Sequence, residues 1–168
     1  MVHLPLITKH INVRNRFANI MNTVPIPSIA KILGYAGLVP FLVLALGLWI
    51  IPQPYTDQMN QALMTYAAII LSFMGAVHWG AAIDLVNKNQ QLQLGLSVIP
   101  PLIAWLALLL PIFYGLSLLT VAFALLCIID SLSTKLNAMP RWYPKLRVPL
   151  TTIVVACMIT ALLAALAN

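Results

Sequence analysis

Charge is what this sequence has least of. Of 168 residues, 7% are charged, against about 25% in an ordinary soluble domain, and the only acids are Asp57, Asp84 and Asp130. So little polar surface cannot cover a core of this size in water, which excludes a soluble globule. Cysteine is equally scarce. Cys127 and Cys157 lie deep in apolar runs, with no His, Asp or second Cys at ligand spacing, and read as small core residues, not as a disulfide or metal pair. Also missing are a glycine-rich nucleotide loop, a nucleophile elbow, paired intramembrane carboxylates and any metal-ligand series. Without such a set nothing supports an enzyme, and no cofactor or metal is expected.

The net charge of +6 is not the signature of a nucleic-acid partner, because the basic residues are strung between apolar runs and do not cluster on one folded face. What the chain does have is hydrophobic length, 62% of its residues. A helix crossing a hydrocarbon core of about 30 Å needs roughly 20 residues, and five runs approach that length: 29–51, 62–83, 92–110, 112–129 and 148–167. The third and fourth, together nearly twice the bilayer thickness, are separated by Pro111 and the sequence Phe113-Tyr114-Gly115, which suit a tight hairpin. The expected fold is therefore all-α, an integral membrane bundle of five transmembrane helices over residues 29–168.

Residues 1–28 form a polar, basic arm with no acid, closed by Pro25 and Pro27. It lacks the apolar core and small-residue cleavage site of a secretory signal. A cytoplasmic arm, a start at Met21 with the first twenty residues over-extended, and an Arg-rich organellar targeting segment all fit its composition.

Orientation follows from the cations, because cytoplasmic loops are enriched in Lys and Arg. Lys9, Arg14, Arg16 and Lys31 stand at or before the start of span one, Lys88 between spans two and three, and Lys135, Arg141, Lys145 and Arg147 between spans four and five. All nine fall on one side of a five-span chain, and the other side holds only Asp57. The expectation is N-in, C-out.

Helices in lipid associate through small residues and a few polar contacts, not through hydrophobic drive. Gly34, Gly37 and Pro40 in span one, Ser72, Gly75, Trp79 and Ala82 in span two, and Thr152, Ala156, Thr160 and Ala164 in span five recur at helical spacing. Those faces are expected to point into the bundle. Pro40 and the pair Pro100-Pro101 are expected to bend spans one and three, since proline removes a helix hydrogen bond and clashes with the preceding turn. Such bends either open a cavity or serve packing alone.

One segment stands out chemically, Ser72 to Gly80, because it holds His78, the only histidine inside a span. An ionisable group at membrane depth is costly and by default a functional candidate. His78 would carry a proton, hold a haem or a quinone-like head group, or simply hydrogen-bond a neighbouring helix. Ser72, Trp79 and Asp84 complete this candidate polar site. Asp84 and Asp130 end their runs at the same side as Arg141, Lys145 and Arg147, and are expected to form interfacial pairs worth little in stability. Trp142, Tyr143, Lys145 and Arg147 form an aromatic and basic cluster that suits the headgroup level or a docking surface.

Several short motifs add a resemblance. Gly37-Leu38-Val39-Pro40-Phe41, Tyr66 to Phe73, Gly75 with His78-Trp79-Gly80, Pro101 to Trp105, and Trp142-Tyr143 followed by Leu146-Arg147 and Leu150-Thr151 resemble a small membrane family, the bacterial domains similar to animal mitochondrial transmembrane protein 69. The likeness runs from about Ile32 to the end. It implies a multi-span protein of a bacterial or mitochondrial inner membrane and supplies no activity and no catalytic residues. The functional expectation is an accessory or assembly subunit in the bilayer, with a membrane-protein partner or a second copy of itself. A small proton-linked carrier using His78, or a haem- or quinone-binding protein, are the alternatives.

Overall fold

The computed structural model describes residues 25–52, 55–83, 88–136 and 139–167. Among them every regular element is a helix: α1 (Ser28–Ala36), α2 (Val39–Gly47), α3 (Tyr55–Ile83), α4 (Lys88–Leu108), α5 (Ile112–Lys135) and α6 (Tyr143–Ala167). Read with α1 and α2 as one span, Ser28–Gly47, these give five helices long and apolar enough to cross a membrane.

Hydropathy finds the spans but not their ends. A helix continues for as long as each N–H finds the carbonyl four residues back, whether or not the side chains are apolar. Asp57 to Gln61, expected to precede span two, lie in the first turns of α3, where Thr56 and Asn60 are buried. Asp130, expected at the end of span four, lies inside α5, which runs on to Lys135, and α6 begins at Tyr143, so the basic cluster before span five is itself helical.

Span one is broken where Pro40 predicts a disturbance. Pro40 has no N–H to offer the Ala36 carbonyl and its ring crowds that turn. The chain closes α1 with bonds from Gly37 N–H to the Leu33 carbonyl (3.0 Å) and from Leu38 N–H to the Tyr35 carbonyl (3.1 Å), then restarts with Pro40 in the first turn of α2, a position where proline is well tolerated. Across the break, the Tyr66 hydroxyl of α3 donates to the Gly37 carbonyl at 3.0 Å. Pro100 and Pro101 behave differently, since α4 is continuous through both.

The prolines of α4 explain why position 75 must be glycine. Pro101 has no N–H to offer the Ser97 carbonyl, and α3 lies so close to it that a Cβ at Gly75 would stand 2.6 Å from the Ser97 oxygen and 3.0 Å from Pro101 Cδ. The Cα–H groups of a glycine can face such an oxygen; any side chain would push the helices apart. Gly34 faces α6 less strictly, since a Cβ there would lie 2.8 Å from Leu150 Cδ1, the movable end of a side chain.

The core runs down the bundle axis. Phe41, Leu63, Leu71, Leu116, Phe123 and Met158 are fully buried, and Phe41 stands edge-on to both Tyr66 (centroids 5.0 Å) and Phe123 (6.2 Å), joining α2, α3 and α5. Around it a belt of Ile69, Phe73, Leu102, Val121, Leu125 and Leu163 is more than half exposed. On a soluble protein such a surface would be an association liability; facing hydrocarbon it is the expected exterior.

Of the face expected of span five, only Ala164 points inward. Thr152 and Ala156 are exposed and Thr160 is only partly covered. The buried side of α6 carries Arg147, Thr151, Val154, Met158, Ala161 and Ala164. Thr152 and Thr160 have no need of a neighbouring helix, because each hydroxyl bonds the carbonyl one turn back, Val148 at 2.9 Å and Ala156 at 2.8 Å.

Candidate functional site

Two helical hairpins set the polar residues at one depth. His78 on α3 and Gln93 on α4 stand equally far from the middle of the 84–87 connection, so an antiparallel pair brings them level. Asp130 on α5 and Arg147 on α6 are related in nearly the same way across the 136–142 connection. The hairpins meet at His78 and Asp130.

Asp130 is the hub. Its Oδ1 lies 2.8 Å from His78 Nε2, and its Oδ2 accepts from Arg147 Nε at 2.9 Å. On the far side of the imidazole, His78 Nδ1 is 2.5 Å from Gln93 Oε1, and Gln93 Nε2 contacts the Ser133 hydroxyl at 3.1 Å. The side chains of His78 and Asp130 are 0% and 1% exposed and that of Arg147 is 7% exposed. Asp130 and Arg147 were expected as an interfacial pair of little worth. Both are instead withdrawn from solvent, where loss of either partner strands the other's charge.

The contacts accommodate two proton inventories. An imidazolium donates from both nitrogens, to Asp130 and to the Gln93 carbonyl. A neutral imidazole donates only from Nε2, with the Gln93 amide turned so that its nitrogen faces Nδ1 and its oxygen accepts from Ser133, an exchange open to any glutamine amide. The neutral inventory leaves Asp130 and Arg147 balanced and the cluster without net charge. Both inventories keep the same residues in contact.

Of the residues singled out with His78, few join it. Ser72 donates to the Ala68 carbonyl on its own helix at 2.8 Å. Trp79, expected on the inner face of α3, points outward and is 51% exposed; one residue along a helix turns the side chain by roughly 100°, and His78 takes the inner place. Asp84 lies outside the described residues. Arg141 is exposed, and it is Arg147 that reaches Asp130. Gly75 sits on the His78 face of α3, where a Cβ would run into the α4 backbone. Gln93 and Ser133 were missed by the sequence reading; the signal for Gln93 was its distance from the turn, matching that of His78.

Beside this cluster, on the side of span one, lies a groove of about 320 Å³ between α1, α2, α3 and α6, lined among others by Leu33, Phe41, Ile70, Tyr143 and Arg147. Two buried polar atoms of its lining residues have no hydrogen-bond partner, Arg147 Nη2 and the Tyr143 hydroxyl.

Residues 26–163 match the model of a family described as proteins of unknown function, DUF3429. The chain belongs to this family. It is also 34% identical, over 139 residues, to Transmembrane protein 69 of Xenopus tropicalis, a match covering 82% of this chain and 54% of that protein. The chain thus matches about half the length of its curated relative. No solved structure matches it. The resemblance read from the short motifs is therefore shown, and with the five apolar helices it makes this DUF3429 member a multi-pass membrane protein.

Proposed function

We propose that this protein is a non-enzymatic accessory or assembly subunit that packs against a larger membrane complex. The observation carrying this reading is the coverage of span one. Only 17% of its apolar window is buried within the chain, against 28–33% for the other four spans, and α1 has no buried residue at all. A helix that finds so few partners in its own bundle has faces left for another protein, or for a second copy of this chain. The polar cluster fits the same role, since it ties four helices together without presenting His78 to a substrate.

In this reading the basic end of the bundle faces the cytoplasm or its organellar equivalent, with the N-terminus inside, in a bacterial inner membrane or, in a eukaryote, the mitochondrial inner membrane. Gentle purification of the tagged protein from its own membranes, followed by mass spectrometry of all that is retained, tests the accessory role: a stoichiometric membrane partner is expected, and a strictly monomeric, partner-free protein in native-like lipid ends the idea. The two proton inventories at His78 favour a second reading, a small proton-linked carrier. Liposome fluxes unchanged by His78→Ala would remove it.

A further inference from the structure

A second groove runs between α5 and α6, and its length is that of one lipid leaflet. It holds about 570 Å³ and is lined from Ala124 to Lys135 on α5 and from Val148 to Val155 on α6. The eleven residue steps from Ala124 to Lys135 rise roughly 16 Å along a helix, about half of a hydrocarbon core of about 30 Å. Its walls can be reached from outside, since Ile128, Leu132 and Val148 are each about half exposed. α5 ends at Lys135 and α6 begins at Tyr143, so the mouth of the groove is where both helices leave the hydrocarbon, at headgroup depth.

Two lysines stand at that mouth. Lys135 is exposed and belongs to the α5 wall. Lys145, also exposed, precedes Val148 and Thr152 of the α6 wall by three and seven residues, spacings that return a helix to nearly the same face. It therefore continues that wall one turn beyond the groove. Ser131 and Thr152 select nothing, because their hydroxyls already donate to the Cys127 and Val148 carbonyls of their own helices, both at 2.9 Å. No acid competes for the lysines. Among the described residues the acids are Asp57, in the first turn of α3 at the opposite end of the bundle, and Asp130, buried and engaged with His78 and Arg147. The head that complements this mouth is an anion, and the apolar trough beneath it asks for a tail.

We propose that the α5–α6 groove binds an anionic phospholipid, its phosphate between the Lys135 and Lys145 ammonium groups and an acyl chain along Ile128, Leu132 and Val148. Basic pockets between membrane helices recognise such heads by charge. This lipid site is independent of the accessory role: a protein partner seated on span one leaves it unchanged, and a partner-free protein keeps it.

The test titrates the full chain, in neutral detergent micelles, with phosphatidylglycerol or phosphatidylcholine of identical acyl chains, and native mass spectrometry counts the lipids that stay bound. One tightly held phosphatidylglycerol per chain is expected, preferred over phosphatidylcholine by more than about tenfold, since each cation near a membrane surface contributes about fivefold. Lys135→Gln and Lys145→Gln should each weaken phosphatidylglycerol by about fivefold and leave phosphatidylcholine unchanged. Lys31→Gln removes the same charge from α1 at the same end of the bundle and should change nothing. Val148→Trp fills the trough and should weaken both lipids. All four positions are exposed, so the variants keep the wild-type unfolding temperature. Equal affinity for the two lipids, or a loss in Lys31→Gln equal to that in Lys135→Gln, overturns the site in favour of a general surface charge. Phosphatidylglycerol binding that survives Val148→Trp at wild-type strength overturns the groove as its seat.

Discussion

The junction of the two hairpins and span one are held in opposite ways. At the junction, charge and hydrogen bonds from four helices converge on Asp130, and every participant is buried. Span one is interrupted at Gly37, buries 17% of its window and, among the described residues, is tied to α3 by one side-chain hydrogen bond, from Tyr66. The difference shows that α3 to α6 form one bolted unit and that span one leans against it. A groove is what remains where the leaning element does not close.

Breaking the bolt should have the largest effect. Asp130→Ala strands the Arg147 guanidinium in the core, and the expected loss is about 3–5 kcal/mol, measurable by unfolding in mixed micelles; a loss below about 1 kcal/mol would put span one and the junction on equal terms. Gly75→Val brings a side chain against the Ser97 carbonyl and should cost about 1–3 kcal/mol through overpacking. Gly80→Ala, where a Cβ meets nothing within 4 Å, is the control expected to be neutral or slightly stabilising. Gln93→Leu removes one end of the His78 chain and should cost about 1–2 kcal/mol, the upper range for hydrogen bonds between helices in a membrane. Tyr66→Phe sharpens the comparison from the weak side. It should cost about 0.6 kcal/mol, and hydrogen exchange should place the loss in span one around Gly37 while the amides near Asp130 keep their protection.

Hydropathy made the five spans legible because a long apolar run has few other stable homes. It could not place their ends, since the first polar side chain stops a hydropathy count but does not stop a helix. That is why Asp130 and Tyr143 to Arg147 looked like boundary residues when they lie inside α5 and α6. His78 was legible as the lone intramembrane histidine, but its partners were not: Gln93 and Ser133 are unremarkable single polar residues until the antiparallel pairing puts them level. Trp79 and Thr160 show the other limit. Spacing defines a face, and only the neighbouring helices decide which face is the inner one. Small size and polarity favour the inside for Ala156 and Thr160, yet a threonine satisfied by its own helix can face lipid.

The pairing of His78 with Gln93 and of Asp130 with Arg147 also bears on how the chain enters its bilayer. An ionised or strongly polar side chain crossing alone is expensive, and a matched one much less so. Each hairpin carries its own match: imidazole against amide in the first, carboxylate against guanidinium in the second. Each helical pair thus arrives at the junction with its polar side chain already matched, and the His78–Asp130 bond joins the two pairs.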